Sequence, residues 1–227
     1  MFVLSIIKDT LPIHPSDFGI PAEQALGTEI NKKYANRVLH DVGLCVCVFD
    51  ITEAGEGKVR YGDGYLWYRV VFRMVVFRPF ASEIIMAKVK SIDSDGMRLS
   101  LGFFDDIYLP ASFLPASSAF DTKRRQHFWV PPEFDDEGQE QPPPANLHQV
   151  EEDRRMYIEP GEQIRARVES DEFYDDEPGP PKALEGVAVQ RVPRRSPYSI
   201  ICSMGEQGLG PVAWWPSDGG EDAMEEG

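Results

Sequence analysis

Five cations recur at alternate positions within separate apolar segments. Lys88 and Lys90 interleave with Ile85, Ala87 and Val89, Arg98 falls between Met97 and Leu99, and Arg165 and Arg167 alternate with Ile164, Ala166 and Val168. In an extended chain successive side chains point to opposite faces, so each segment can bury its apolar set and turn its cations to solvent. Cations spaced in this way on neighbouring strands can track the phosphates of a single-stranded nucleic acid, while aromatic rings nearby stack its bases. Phe104, Tyr108, Phe128 and Phe173 are the aromatics available for stacking. Lys and Arg also alternate outward on ordinary half-exposed strands, so periodicity alone leaves one shared basic face and five unrelated solvent contacts as open alternatives.

The other reactive groups argue against catalysis. There is no Gly-rich phosphate loop ending in Gly-Lys-Ser/Thr, no His-Glu-x-x-His and no Cys-x-x-Cys. Cys45 and Cys47, two apart on one strand face, read as core packing, because a tetrahedral site needs two more donors and only four histidines could supply them. Asp105 and Asp106 are adjacent on a strand end and point to opposite faces, which makes a turn rather than a carboxylate pair. Asp93-Ser94-Asp95-Gly96 opens like a calcium loop but lacks the later ligands. No metal and no cofactor is expected. Three cysteines cannot form a disulfide framework, so a reducing compartment, cytosol or nucleus, is the default.

The elements that would carry these residues fall into two halves. Met1 to Ile7 reads as a strand, and Pro12, Pro15, Ser16 and Asp17 as a turn. Ala22, Leu26, Ile30, Tyr34 and Val38 recur at a spacing of four and predict a helix with one buried stripe. Two long apolar strands follow, Val42 to Ile51 and Trp67 to Phe77, separated by a turn-rich stretch from Gly55 to Gly64. This predicts a compact α+β domain, one helix laid across an antiparallel sheet. Trp67, Tyr68, Val70 and Phe72, with Tyr61 and Tyr65, offer more large apolar groups than one helix can cover, which predicts a partner-facing patch.

Phe77-Arg78-Pro79-Phe80 is the junction, because Pro79 cannot donate to a sheet ladder and a new period-two pattern starts at Ile84. Ile84 to Ile92, Met97 to Phe103, Ile107 to Leu109, Ile164 to Val168 and Tyr198 to Ser203 are five short strands, with a two-residue hairpin signal at Asp95-Gly96. They fit a small OB-type barrel. The expected domains are 1–80, 81–215 with acidic loops near 131–153 and 171–185, and an acidic tail at 216–227.

The formal charge of −15 is unevenly spread. Glu133 to Asp153, Glu169 to Gly186 and Ser217 to Gly227 hold twenty of the 38 acidic residues and a single base, Lys182, so the remainder is mildly basic. Segments of this composition are usually solvated loops or tails. Met1 to Ile7 lacks the basic leader and cleavage site of a signal peptide, and no apolar run approaches the roughly 20 residues of a membrane helix.

Several strings of this chain resemble those of one family. They are Met1-Phe2-Val3-Leu4, Asn31-Lys32-Lys33-Tyr34-Ala35-Asn36, Val42-Gly43-Leu44-Cys45 with Phe49-Asp50-Ile51-Thr52, Gly62-Asp63-Gly64, Val75 to Phe80, Leu101-Gly102-Phe103-Phe104-Asp105-Asp106-Ile107, Gly208-Leu209-Gly210 and Trp214-Trp215. The chain resembles, from end to end, the stalk subunits of eukaryotic RNA polymerase III, themselves similar to the seventh subunit of RNA polymerase II and to its archaeal counterpart. The resemblance implies a truncated ribonucleoprotein-like tip domain that plugs into the polymerase core and an OB domain that projects outward near emerging RNA. It also implies a smaller helical partner subunit, contacts with initiation factors and a nuclear location. By motif, Gly62-Asp63-Gly64, flanked by Tyr61, Tyr65 and Trp67, would lie in the core-contacting loop, and Phe77, Arg78, Pro79 and Phe80 would form the hinge. The leading expectation is a non-catalytic polymerase subunit with RNA contact by the OB domain; the alternative is a free-standing single-stranded RNA-binding protein.

Overall fold

A computed structural model describes residues 1–132, 144, 146–175 and 195–215. The acidic tail at 216–227 and most of the two acidic loops lie outside the described residues. Two compact units emerge, Met1–Phe80 with Glu172–Tyr198, and Ala81–Asp171 with Ser199–Gly227. No helix among the described residues is long and apolar enough to cross a membrane.

The first unit contains β1 (Phe2–Ile13), α1 (Ala22–Tyr34), β2 (Arg37–Leu39), β3 (Gly43–Ala54), β4 (Lys58–Val59) and β5 (Leu66–Phe77). The sheet order is β1-β5-β3-β2, all antiparallel, with β4 also on β5. β1 is longer than its apolar start, pairing with β5 from Phe2↔Phe77 to Ile13↔Leu66. Pro12 is tolerated there because an edge strand need not donate on its open side. α1 stops short of Val38. Ala35 takes an extended ψ and Asn36 a left-handed φ of 58°, so Val38 belongs to β2 instead.

α1 lays Ala25, Leu26 and Ile30 on one face of this sheet, against Leu11, Ile13, Cys45, Val70, Phe72, Met74 and Val76. Apart from Cys45 of β3, the strand members are alternate residues of β1 and β5, as period two requires. In β3 the register slips between Cys45 and Cys47, which pair with Val76 and Val75 respectively. The bulge turns the two cysteines to opposite faces, so Cys45 is buried and Cys47 exposed, correcting the single-face reading.

The second unit contains β6 (Ile84–Asp93), β7 (Gly96–Ser100), β8 (Ile107–Pro110), β9 (Ser118–Asp121), β10 (Gln126–Trp129), β11 (Met156–Tyr157), β12 (Gln163–Phe173) as far as Asp171, β13 (Tyr198–Ser203) from Ser199, and β14 (Gly210–Pro211). Strand order is β13-β8-β7-β6-β12, and β12 pairs with β13 to close a five-stranded barrel of the OB kind. β8 and β13 are parallel, whereas β6–β7, β7–β8 and β6–β12 are antiparallel. Ile85, Ala87, Val89, Met97, Leu99, Ile107, Leu109, Ile164, Ala166, Val168, Ile200 and Cys202 are all buried. Gly96 pairs with Asp93, which places the turn at Ser94-Asp95, one residue earlier than the sequence suggested. A Cβ on Gly96 would lie 2.4 Å from the Leu109 carbonyl oxygen, so only glycine lets β8 approach.

Three features depart from the sequence reading. β7 ends at Ser100, and a turn through Gly102, at φ +88°, joins the Leu101 N–H to the Phe104 carbonyl. The turn reverses the alternation, burying Phe104 and exposing Phe103. Between β8 and β12 an additional sheet, in the order β11-β10-β9, stands where only loop was expected, joined by 3-10 turns at Leu147–Gln149 and Glu152–Arg154. Glu169 to Phe173, assigned by composition to an acidic loop, continue β12.

Candidate nucleic-acid interface

β7, β6 and β12 are consecutive neighbours, so their outward residues share one curved face. Lys88 lies opposite Ser100 on one side and Gln163 on the other. Arg98 lies across from Ser91, toward one end of β6, whereas Arg165 and Arg167 lie across from Met86 and Ile84, toward the other. Arg98, Lys88, Arg165 and Arg167 therefore form an oblique stripe over three strands, with diagonal neighbours about 7–8 Å apart. The structure brings these four together.

Their electrostatic states differ. Arg167 is claimed by carboxylates: its Nη2 is 2.7 Å from Glu169 Oε1, and its Nη1 pairs with Glu206. The Ser203 hydroxyl also donates to Glu169. That hydroxyl and Arg167 hold the Glu169 carboxyl below its ordinary range, and Glu169 in turn raises the Arg167 guanidinium. Lys90, in the β6 bulge, is tied to Asp105 at 2.7 Å. Lys88, Arg98 and Arg165 make no ion pair among the described residues, and they are the charges left for a ligand.

The aromatic set changes more. Phe104 is 6% exposed and Phe128 is fully buried, so neither ring can meet a base. Phe173 is stacked on Tyr198 at 4.6 Å with the Arg78 guanidinium 5.3 Å away. Tyr108 alone among the four lies beside the stripe, on β8 across from Arg98. Burial raises its hydroxyl pKa, and the charges of Asp95 and Asp93 add to this while Arg98 opposes it. Those two aspartates make the β6–β7 turn unfavourable for phosphate.

At the other site, Tyr61 is fully exposed, and Gly62 and Gly64 adopt φ values of +95° and +72°. Asp63 accepts the Tyr65 N–H at 3.0 Å and the Trp67 indole N–H at 3.0 Å, fixing this loop. Tyr65 packs on the His14 ring, and the Arg60 guanidinium lies 5.7 Å from the Trp67 ring. An open concavity of about 630 Å³, lined in part by Lys58, Val59, Tyr61, Trp67 and Arg69, lies beside it. At the junction, Phe77 and Pro79 are buried, the Arg78 guanidinium donates to the Asp41 carbonyl, and Phe80 is exposed.

Two surfaces escaped the sequence reading. The sheet face opposite α1 carries Phe2, Leu4 and Ile6 of β1, with Ile6 68% exposed, and Phe49 and Cys47 of β3. Arg73, tied to Asp50 with Nε 2.7 Å from Oδ1, crosses the middle of this face over Phe49. Every residue of β1 from Phe2 to Ile7 except Ser5 is apolar, which was the available signal that both faces are sticky. The second surface is the β9–β10 hairpin tip, where Lys123, Arg124 and Arg125 are exposed side by side.

A sheet-and-helix domain followed by a closed OB barrel with a basic outer stripe is the two-domain architecture that the comparisons with known proteins address. Residues 8–64 match the SHS2 domain found in the N terminus of Rpb7p/Rpc25p/MJ0397, and residues 83–215 match RNA polymerase III subunit Rpc25. The DNA-directed RNA polymerase III subunit rpc8 of Schizosaccharomyces pombe is 38% identical over 217 residues, covering 95% of this chain and all of that protein. RPC8 of Bos taurus is 37% identical over 219 residues, covering 96% of this chain and 100% of that protein. The archaeal polymerase subunit Rpo7 of Saccharolobus solfataricus is 24% identical over 214 residues, covering 94% and 97%. The chain belongs to the RNA polymerase III subunit Rpc25 family.

Proposed function

We propose that the chain is a non-catalytic subunit of DNA-directed RNA polymerase III that forms the stalk with a smaller helical subunit and supports initiation at small-RNA genes in the nucleus. The observation that carries this reading is the match, along nearly the whole chain, to proteins named as polymerase III subunit RPC8. The same match disfavours a free-standing RNA-binding protein, because it includes the N-terminal unit that such a protein would not need. The helical partner covers the apolar sheet face of Phe2, Leu4, Ile6 and Phe49; an exposed patch of this kind marks an interaction site. Residues Tyr61 to Trp67 meet the polymerase core, 1–80 act as the tip domain, 81–215 as the outward OB domain, and Phe77 to Phe80 as the hinge.

Nascent single-stranded RNA and initiation factors are the remaining partners. RNA runs along Arg98, Lys88 and Arg165, with contacts to phosphates and little sequence preference. The assembly reading is tested by recovering the chain from nuclear extract and identifying what accompanies it. Recovery of a small helical subunit with the large polymerase III subunits supports it; recovery of RNA without them overturns it.

A further inference from the structure

We infer that the β9–β10 hairpin tip, Thr122–Arg125, is a second phosphate-binding site that contacts a nucleic-acid backbone independently of the barrel stripe. Lys123, Arg124 and Arg125 are consecutive and exposed at this tip. The loop is held rigid by Asp121. Its Oδ1 accepts the N–H groups of Lys123 at 2.8 Å and Arg124 at 3.4 Å, its carbonyl accepts the Arg125 N–H at 2.7 Å, and its Oδ2 accepts the Tyr157 hydroxyl at 3.2 Å. Arg125 is placed by this turn at a left-handed φ of 57°, a conformation that a non-glycine residue keeps only when its surroundings impose it.

The acceptors of the Asp121 carboxylate, at the end of β9, are thus spent on the tip and on Tyr157 of β11. Arg124 is spent too, lying 4.5 Å over the Tyr157 ring with Nη2 3.0 Å from Glu152 Oε2. It is a positioning residue, and it absorbs the nearest charge of the Glu151-Glu152-Asp153 turn. Lys123 and Arg125 make no ion pair among the described residues and project as a preformed pair of cations. Two residues beyond Arg125, the His127 ring Nε2 is 2.8 Å from the Asp93 carbonyl oxygen, which anchors β10, behind the tip, to the end of β6.

The chemistry favours phosphate over an acidic protein segment. No residue of the tip is a large exposed hydrophobic, whereas protein interfaces are organised around a desolvated apolar centre. Phosphate contacts need only placed positive charge, and an ordered loop binds without first losing conformational freedom. RNA and DNA offer the same group.

The test is fluorescence anisotropy of the 227-residue chain with single-stranded RNA and DNA of one sequence across a salt series. Lys123→Glu with Arg125→Glu should weaken both ligands alike, and Lys123→Ala with Arg125→Ala should lower the slope of log K against log salt by about 1.4, or roughly 0.7 for each phosphate released. Arg98→Glu with Arg165→Glu serves as the barrel arm. An inert barrel variant beside a weakened hairpin variant supports the hairpin and defeats the barrel reading. Unchanged affinity and slope in the hairpin variants, with the barrel variant weakened, overturns the hairpin and keeps the barrel. Loss of polyglutamate binding with nucleic-acid binding intact also overturns it, making the tip a protein surface. Far-ultraviolet circular dichroism, with the combined emission of the four tryptophans, among them Trp129 stacked on Trp214 at 5.2 Å, checks that the variants remain folded; if the glutamate variant disturbs them, the alanine variant decides.

Discussion

Arg165 and Arg167 sit two residues apart on one strand and point to the same side, yet their neighbours assign them different work. Arg165→Glu should weaken single-stranded RNA binding and flatten its salt dependence, because the residue has no carboxylate partner among the described residues to lose. Arg167→Ala should instead lower the melting temperature of the barrel while leaving the salt slope near that of the parent, since it strands Glu169 beside Ser203. An Arg167 variant that changed the slope as much as the Arg165 variant would refute this division. Glu169 gives a pH signature as well. Its folded carboxyl is depressed below the unfolded value, so the stabilisation is complete above the ordinary carboxylate range and is lost as pH falls through the folded value. Acid titrations monitored by circular dichroism should show Glu169→Gln losing that part of the pH dependence. The thiols offer a third residue-level test. Burial pushes Cys45 up to about 11, and burial with the charge of Glu169 pushes Cys202 up to about 12. Because the thiolate is the nucleophile, iodoacetamide at neutral pH should modify Cys47 alone in the folded chain and all three cysteines after denaturation. At this scale the outward cations were legible in the sequence because alternation fixes their face. Phe104 and the two cysteines were not, since a turn at Gly102 and a bulge at Val46 each shift the count by one.

Elements follow from the same physics, with legibility set by length. Two of the three twelve-residue strands of the first unit, β3 and β5, and the whole of α1 were readable, because ten or more residues of apolar pattern outweigh local exceptions. β9, β10 and β11 are four, four and two residues long and give too few repeats for a period to register. The end of β12 was obscured by composition, its acidic residues being held by partners that sequence cannot supply. The two faces of the N-terminal sheet should respond differently to mutation. Phe72→Ala, under α1, should cost about 3–5 kcal/mol by leaving a cavity. Ile6→Ser, on the opposite face, should change the stability of the free chain by about 0.5 kcal/mol or less and lower affinity for the proposed helical partner. Denaturant melts with pull-downs check both, and equal losses of stability would show that the outer face is already covered. Labelling of Cys47, on that outer face, should be suppressed in the complex.

For the molecule as a whole, the charge of −15 is clustered along the chain, but the expected division into a basic body and acidic loops does not hold, because Glu169, Asp171 and Glu172, counted with a loop, lie in β12. A subunit with an uncovered apolar face is expected to be stabilised by mass action, its melting temperature rising with partner concentration. The topology of the barrel carries a different consequence. β13 is the last barrel strand in the chain, and it closes the barrel by pairing with both β8 and β12, with Ile107 joined to Ile200. Contacts of such separation are late and slow to form. A ribosome that has delivered every residue up to Arg195 has therefore made four barrel strands with two unsatisfied edges, each a template for the wrong strand. For that interval the nascent chain depends on whatever shields those edges, and a premature stop just upstream of Tyr198 would leave it there permanently.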